Sequence, residues 1–238
     1  MLHSVKKENI LFLDIETVPQ FPSFEGLDLR MQDLWAKKTR FQRKEDEGPD
    51  SFYDRAGIYA EFGKIICISV GFFVNDGNNR SFRMKSFFGD EEKLILEEFI
   101  SLINNHFSGK EQTLCGHNGK EFDFPYIARR ILINGLKIPS ILDVSGKKPW
   151  ETPFLDTLEL WKFGDYKNYV SLDLLAAIFG IKTPKDEMDG SDVHRVYWQE
   201  KGLDRIVRYC LKDVITLASV FLRFRGEAAL EDEEVLYL

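Results

Sequence analysis

The run Ile10-Leu11-Phe12-Leu13 stops abruptly at Asp14-Ile15-Glu16, with Thr17, Val18 and Pro19 after it. A short apolar run of strand-forming residues reads as a buried strand, and this one ends in two carboxylates. Side chains at i and i+2 of a strand share a face, so Asp14 and Glu16 stand side by side while Ile15 faces away. The fold must therefore bury the strand and still find room at its end for paired acids. Adjacent, partly desolvated carboxylates repel, and one is driven toward protonation unless a cation neutralises the pair, which makes a divalent metal the natural third member. A chain with 39 Asp and Glu also produces acid-x-acid triplets by chance, so the pair alone leaves both readings open.

A second acid lies near the end of the chain. From Leu203 to Phe224 the apolar residues Ile206, Val207, Cys210, Leu211, Val214, Leu217, Ala218 and Phe221 recur at three- and four-residue intervals, which predicts an amphipathic helix against a core. Tyr209 and Asp213 are four apart on one face, and Asp213 interrupts the apolar side. A carboxylate there needs a partner, either a site or a local amide or tyrosine hydroxyl. Between these elements, Thr113-Leu114-Cys115-Gly116 reads as a short strand running into a turn, and Asp123 opens a helix with Pro125 in its first turn. Asp123 suits helix capping and catalysis equally well. Asn118 and Phe122 flank it, an amide able to orient a carboxylate and an aromatic able to stack on a base.

Asp14-Ile15-Glu16, then Asn118-Gly119-Lys120-Glu121-Phe122-Asp123, then Tyr209-Cys210-Leu211-Lys212-Asp213 resemble, in order and spacing, the three exonuclease motifs of the DEDD superfamily in its tyrosine subtype. Within that superfamily the chain resembles in particular the stand-alone bacterial proteins predicted as 3′-to-5′ exonucleases and related to the proofreading domain of family B DNA polymerases. Further resembling segments are Ala60 to Ile65, Ser171-Leu172-Asp173 with Gly180, and Asp189-Gly190-Ser191, so the likeness runs from about Asn9 to Phe224. It implies an RNase H-like fold, a five-stranded mixed sheet flanked by helices with the site at the carboxyl end of the first strand. It implies two divalent cations, Mg²⁺ or Mn²⁺, with Asp14 bridging both, Glu16 and Asp213 completing the first site and Asp123 acting on the second through waters. Tyr209 would orient the attacking water, because a phenol with an ordinary pKa near ~10 is a poor base at neutral pH. Thr17, Asn118 and Phe122 are the implied contacts to the terminal nucleotide, and Lys185 either meets a backbone phosphate or is simply solvated.

The implied function is 3′-to-5′ hydrolysis of terminal phosphodiesters of DNA, single-stranded by expectation, releasing nucleoside 5′-monophosphates. The alternatives are an exoribonuclease using the same acids and a non-catalytic nucleic-acid-binding or polymerase accessory module. A dinuclear phosphatase fits less well, because no glycine loop cradles a phosphate and His3, His106, His117 and His194 show no metal-ligand spacing. The partner is nucleic acid, most simply a DNA 3′ end, with a polymerase or repair protein as a further candidate. A formal charge of −7 does not oppose this, since an exonuclease grips only a few nucleotides and cations in the site offset the carboxylates where the phosphate sits.

With 238 residues, 44% of them apolar, and no Pro/Gly/Ser-rich linker, residues 1–238 read as one domain carrying a long insertion at about 19–62 and an acidic tail at about 227–238. The tail reads as a frayed terminus or a docking segment. Within the insertion, Lys37-Lys38-Thr39-Arg40-Phe41-Gln42-Arg43-Lys44 is either a strand-binding patch or a solvated face. Strands are expected near 10–14, 64–74, 80–88, 112–116 and 154–156, and helices over 91–107, 124–134, 171–179, 191–200 and the terminal 203–224, which is an α/β arrangement. The three cysteines lie among apolar neighbours as buried thiols. No segment reads as a signal peptide or membrane span, so the cytoplasm is the expected compartment.

Overall fold

The first strand forms as β1 (Ile10–Pro19) in a computed structural model that describes residues 5–76, 79–165, 167, 169–182 and 188–238. It does not stop at the acids, because pairing with the next strand carries it on through Pro19 and leaves Asp14 and Glu16 within it. β1 lies inside a six-stranded sheet of order β5-β4-β1-β2-β3-β6, where β2 is Gly63–Asp76, β3 Asn79–Phe88, β4 Thr113–Gly116, β5 Leu155–Asp156 and β6 Val235–Tyr237. β2 pairs antiparallel with β1 and β3, forming the expected meander. β4 pairs parallel with β1 and with β5, as crossovers through helices require.

Alternation sorts β1 onto two cores. Leu11, Leu13 and Ile15 join one cluster with Phe99, Phe124, Ile127 and Ile131, drawn from α2 (Glu92–His106) and α3 (Asp123–Ile133). Ile10 and Phe12 face the other way, onto Val214, Leu217 and Phe221 of α7 (Leu203–Phe224). Asp14 and Glu16 continue this second row. Opposite the Glu16–Thr17 step the β1/β2 register shifts from Cys67 to Ile65, leaving Ile66 as one extra residue. A bulge of this kind bends and twists the ladder where the carboxylates emerge.

The sixth strand corrects the five-strand expectation, and it comes from the tail. Val235-Leu236-Tyr237 is too short to read as a strand after so acidic a run. Tertiary pairing makes it one: the Arg80 guanidinium donates to Glu234 at 2.8 and 2.6 Å and to the Ala228 and Ala229 carbonyls at 3.0 Å, and β6 then pairs parallel with β3. The frayed terminus is therefore a clasped edge strand. The helix expected over 191–200 divides into a 3₁₀ turn, Gly190–Asp192, and a helix over Val193–Trp198, because Asp189 and Asp192 cap the turn reciprocally.

The insertion carries a helix of its own, α1 (Leu29–Thr39), and a 3₁₀ turn over Tyr53–Ile58, closed around a buried Trp35 with Phe52, Tyr53 and Phe62. Its basic run is largely committed within the insertion. Lys37 pairs with Asp33, Lys38 with Glu61 at 3.6 Å, and Arg43 donates to the carbonyls of Ala36 and Glu47. Elements after the insertion complete the layers: α4 (Thr157–Lys162), α5 (Leu172–Ile178) and α6 (Val193–Trp198).

A buried ion pair ties these layers together. Arg130 of α3 donates through Nε to Glu92 Oε1 of α2 at 2.8 Å and through Nη1 to the Ala60 carbonyl at 2.8 Å, while Glu92 also accepts from Ile65 N and from Asn134 Nδ2, each at 2.8 Å. Both side chains are almost fully enclosed, so removing one strands the other. We expect Arg130→Met to lower unfolding free energy by about 3–5 kcal/mol in urea titrations. A loss below about 1 kcal/mol would show that Glu92 finds another partner.

Candidate active site

Three separate elements deliver carboxylates to one place. β1 supplies Asp14 and Glu16, the first turn of α3 supplies Asp123, and α7 supplies Asp213 together with Tyr209. These five line one open cleft of about 240 Å³ with Asn118, Phe122, His117 and Tyr169. Thr17 lies just outside it, in a neighbouring groove that shares Glu16 and Phe122 with the cleft. Lys185 falls outside the described residues.

The acids repel one another. Burial, then the charges of Asp123, Glu16 and Asp213, hold the Asp14 carboxyl well above the usual carboxylate range. Burial, then Asp213, does the same to Glu16. Asp123 is pushed up to about 7 by burial, with Asp156 adding to the shift and hydrogen bonds from its own amide and that of Ile15 opposing it. Among the described residues no lysine or arginine lines the cleft. The one local relief for Asp14 is the Cys210 thiol, which donates to its carbonyl and to Oδ2 at 3.4 Å.

Tyr209 carries a phenol raised far above its ordinary value, first by burial and then by Asp213, Glu16 and Asp14, and its hydroxyl hydrogen-bonds Asp213. It is a donor at any physiological pH. His117 is equally committed: Nε2 donates to the Val170 carbonyl at 2.9 Å, so Nδ1 accepts from Thr157 Oγ1 at 2.9 Å, and burial lowers its pKa. It has no ring nitrogen left for a ligand.

Sequence reasoning missed the residue that shapes the segment before Asp123. Asp156, the last residue of β5, is buried and accepts from the amides of Asn118 at 2.9 Å, Lys120 at 3.0 Å and Leu158 at 3.0 Å. That clamp holds Asn118 in the left-handed region, φ 62°, which asparagine tolerates better than most residues. An isolated Leu-Asp pair at a strand end gives no hint of such a role. Tyr169 was missed too, for its ring is 72% exposed at the rim of the cleft with only loop-like neighbours in sequence.

The donor set suits divalent cations. The ligand atoms of Asp14, Glu16 and Cys210 lie within 4.8 Å of one another, and buried carboxylates without a cationic side chain invite an added positive charge. The family described as predicted 3′-5′ exonucleases related to the exonuclease domain of PolB matches residues 58–235. This chain belongs to that family. No curated protein matches it. Among solved structures it is similar to the family B DNA polymerase from the hyperthermophilic archaeon Pyrobaculum calidifontis, at 16% identity and a TM-score of 0.50 over 90% of this chain. The chain spans about a quarter of that polymerase, 24% of its length. At this identity the likeness speaks for the fold, which is RNase H-like with helices flanking a mixed sheet. Among the described residues no helix is long and apolar enough to cross a membrane.

The raised carboxyls make cation binding depend on pH. A folded carboxyl above its ordinary value imposes no penalty at low pH, and stability is lost as pH climbs, for Asp123 from 3.8 toward about 7. Cations offset that loss where the acids are ionised. We expect Mn²⁺ to raise Tm more at about pH 8 than at about pH 5.5. An equal gain at both, in calorimetry, would mean that the acids are not the ligands.

Proposed function

We propose that the chain hydrolyses the terminal phosphodiester at the 3′ end of DNA, single-stranded by preference, and releases nucleoside 5′-monophosphates. The observation that carries this reading is the meeting of Asp14, Glu16, Asp123 and Asp213 in one cleft. Family membership supplies the reaction class, 3′-5′ exonuclease. In this reading Asp14, Glu16 and Asp213 would hold one divalent cation and Asp14 the other, Mg²⁺ or Mn²⁺, with Asp123 acting on the second through waters. Bound there, the cations supply Lewis acidity to the nucleophilic water and to the leaving 3′-oxygen.

The protein's own groups do the positioning. A phenol is a poor base at neutral pH, and burial with the neighbouring acids raises this one further, so the role assigned to the Tyr209 hydroxyl is to direct the attacking oxygen by hydrogen bonding. That assignment matches the tyrosine subtype. Asn118, fixed by Asp156, and Phe122 border the cleft where a terminal base and sugar would lie. Thr17 offers backbone contact on the groove side. Residues 1–238 act as one exonuclease domain in this scheme, and a polymerase or repair factor remains a candidate partner.

Incubation of 3′-recessed, single-stranded and RNA oligonucleotides of equal sequence with Mg²⁺, Mn²⁺ or chelator tests the whole reading. We expect a single-nucleotide ladder from the 3′ end of DNA that vanishes with chelator. Faster RNA trimming would make the protein an exoribonuclease, and binding without release would make it an accessory module. Asp14→Ala should bring hydrolysis to background, since it removes a ligand from both cations, and survival of about a tenth of the rate would contradict that role. Tyr209→Phe should lower kcat by roughly ten- to a hundredfold with DNA affinity unchanged, and an unaltered kcat would remove Tyr209 from the chemistry.

A further inference from the structure

Beside the acidic cleft runs a larger groove, about 790 Å³, that shares Ile15, Glu16, Phe122 and Gly190 with it. A volume of this size is that of a small-molecule pocket. One wall is the 3₁₀ turn of the insertion, through Arg55, Gly57 and Ile58, and the other includes Ser191, His194 and Gln199. We propose that the insertion turn is a nucleoside-holding wall and that Ile58 is a positioning residue for the base of the nucleotide to be released. The proposal rests on the nuclease reading above and adds to it the role of residues outside the acid motifs.

The turn is anchored firmly enough to serve as a wall. Tyr126 Oη of α3 donates to the Gly57 carbonyl at 2.8 Å, and Arg130 holds the Ala60 carbonyl just beyond it. Gly57 itself packs against β1 so closely that an added Cβ would stand 3.1 Å from Val18 Cα and 3.2 Å from the Thr17 carbonyl oxygen. The insertion is thus seated on the strand one residue beyond Glu16. In contrast to this fixed backbone, the Ile58 side chain is 56% exposed along the groove.

The chemistry of the lining suits a nucleoside. Ile58 and the partly buried Phe122 present apolar surface, on which any base can lie because every base has a π-face. Arg195 is committed to Asp192 at 2.7 Å, and His194 stands 3.4 Å from Asp54. Arg55 stacks over Phe52 and pairs with no carboxylate among the described residues. Gln199 adds a neutral donor and acceptor at the far wall. A phosphate held over the acids therefore leaves its nucleoside beside the apolar surface of Ile58 and Phe122.

Methyl NMR of isoleucine-labelled protein, titrated with deoxythymidine 5′-monophosphate in the presence of Mg²⁺, reads this directly. We expect the Ile58 and Ile15 methyls to shift, and those of the exposed, distant Ile133 and Ile178 to stay. Ile58→Asp should weaken the monophosphate and raise oligonucleotide KM by about tenfold, leaving kcat and Mn²⁺ affinity near parental values, and Ile58→Val should restore both. Unchanged monophosphate affinity in Ile58→Asp, or shifts confined to methyls away from the groove, would overturn the proposal. Because the titration needs no turnover, a parent that binds the monophosphate at Ile58 but hydrolyses nothing would sink the nuclease reading and leave the wall standing.

Discussion

Mutual repulsion among buried carboxylates is the constraint around which this molecule is built. Each of Asp14, Glu16 and Asp123 is held above its ordinary pKa by burial and by its acidic neighbours, and among the described residues no guanidinium or ammonium lines the cleft to relieve it. Such an arrangement costs the apo fold free energy, and it persists only where the surrounding structure over-determines it. The sheet, the α2–α3 ion pair and the long apolar face of α7 supply that over-determination. The fold in effect stores a binding energy for positive charge midway along its central strand.

The scaffold keeps its cations elsewhere for the same reason. Arg130 neutralises Glu92 between two helices, Arg80 closes the sheet edge, and Lys37, Lys38 and Arg43 of the insertion pair with its own acids and carbonyls. A net charge of −7 therefore says little about the site. What matters is the local charge, which among the described residues of the cleft is that of its carboxylates.

Much of this was legible in the sequence, because the residues concerned sit on regular elements. The i, i+2 rule placed Asp14 and Glu16 on one face of β1, and the i, i+4 rule placed Tyr209 and Asp213 on one face of α7. Periodicity gave α7 its bounds, Leu203–Phe224. Contacts between distant segments were not legible. Asp156 clamps amides 36 and 38 residues upstream, and nothing local to it reveals that. The insertion had composition but no clear period, so only its basic stretch, Lys37 to Lys44, stood out, and the turn over Tyr53–Ile58 against β1 did not. β6 was read as a tail because pairing with β3 depends on Arg80, more than 150 residues earlier.

That last strand has a further meaning. β3 is long, twisted through its pairing with β2, and without β6 would present an unpaired ladder of amides and carbonyls around Phe82, Arg83 and Met84. Unpaired borders of this kind recruit foreign backbone and seed association between chains. The few residues from Glu231 onward thus act as a stopper, and their modest sequence belies a duty to keep one copy of the protein from zipping onto the next.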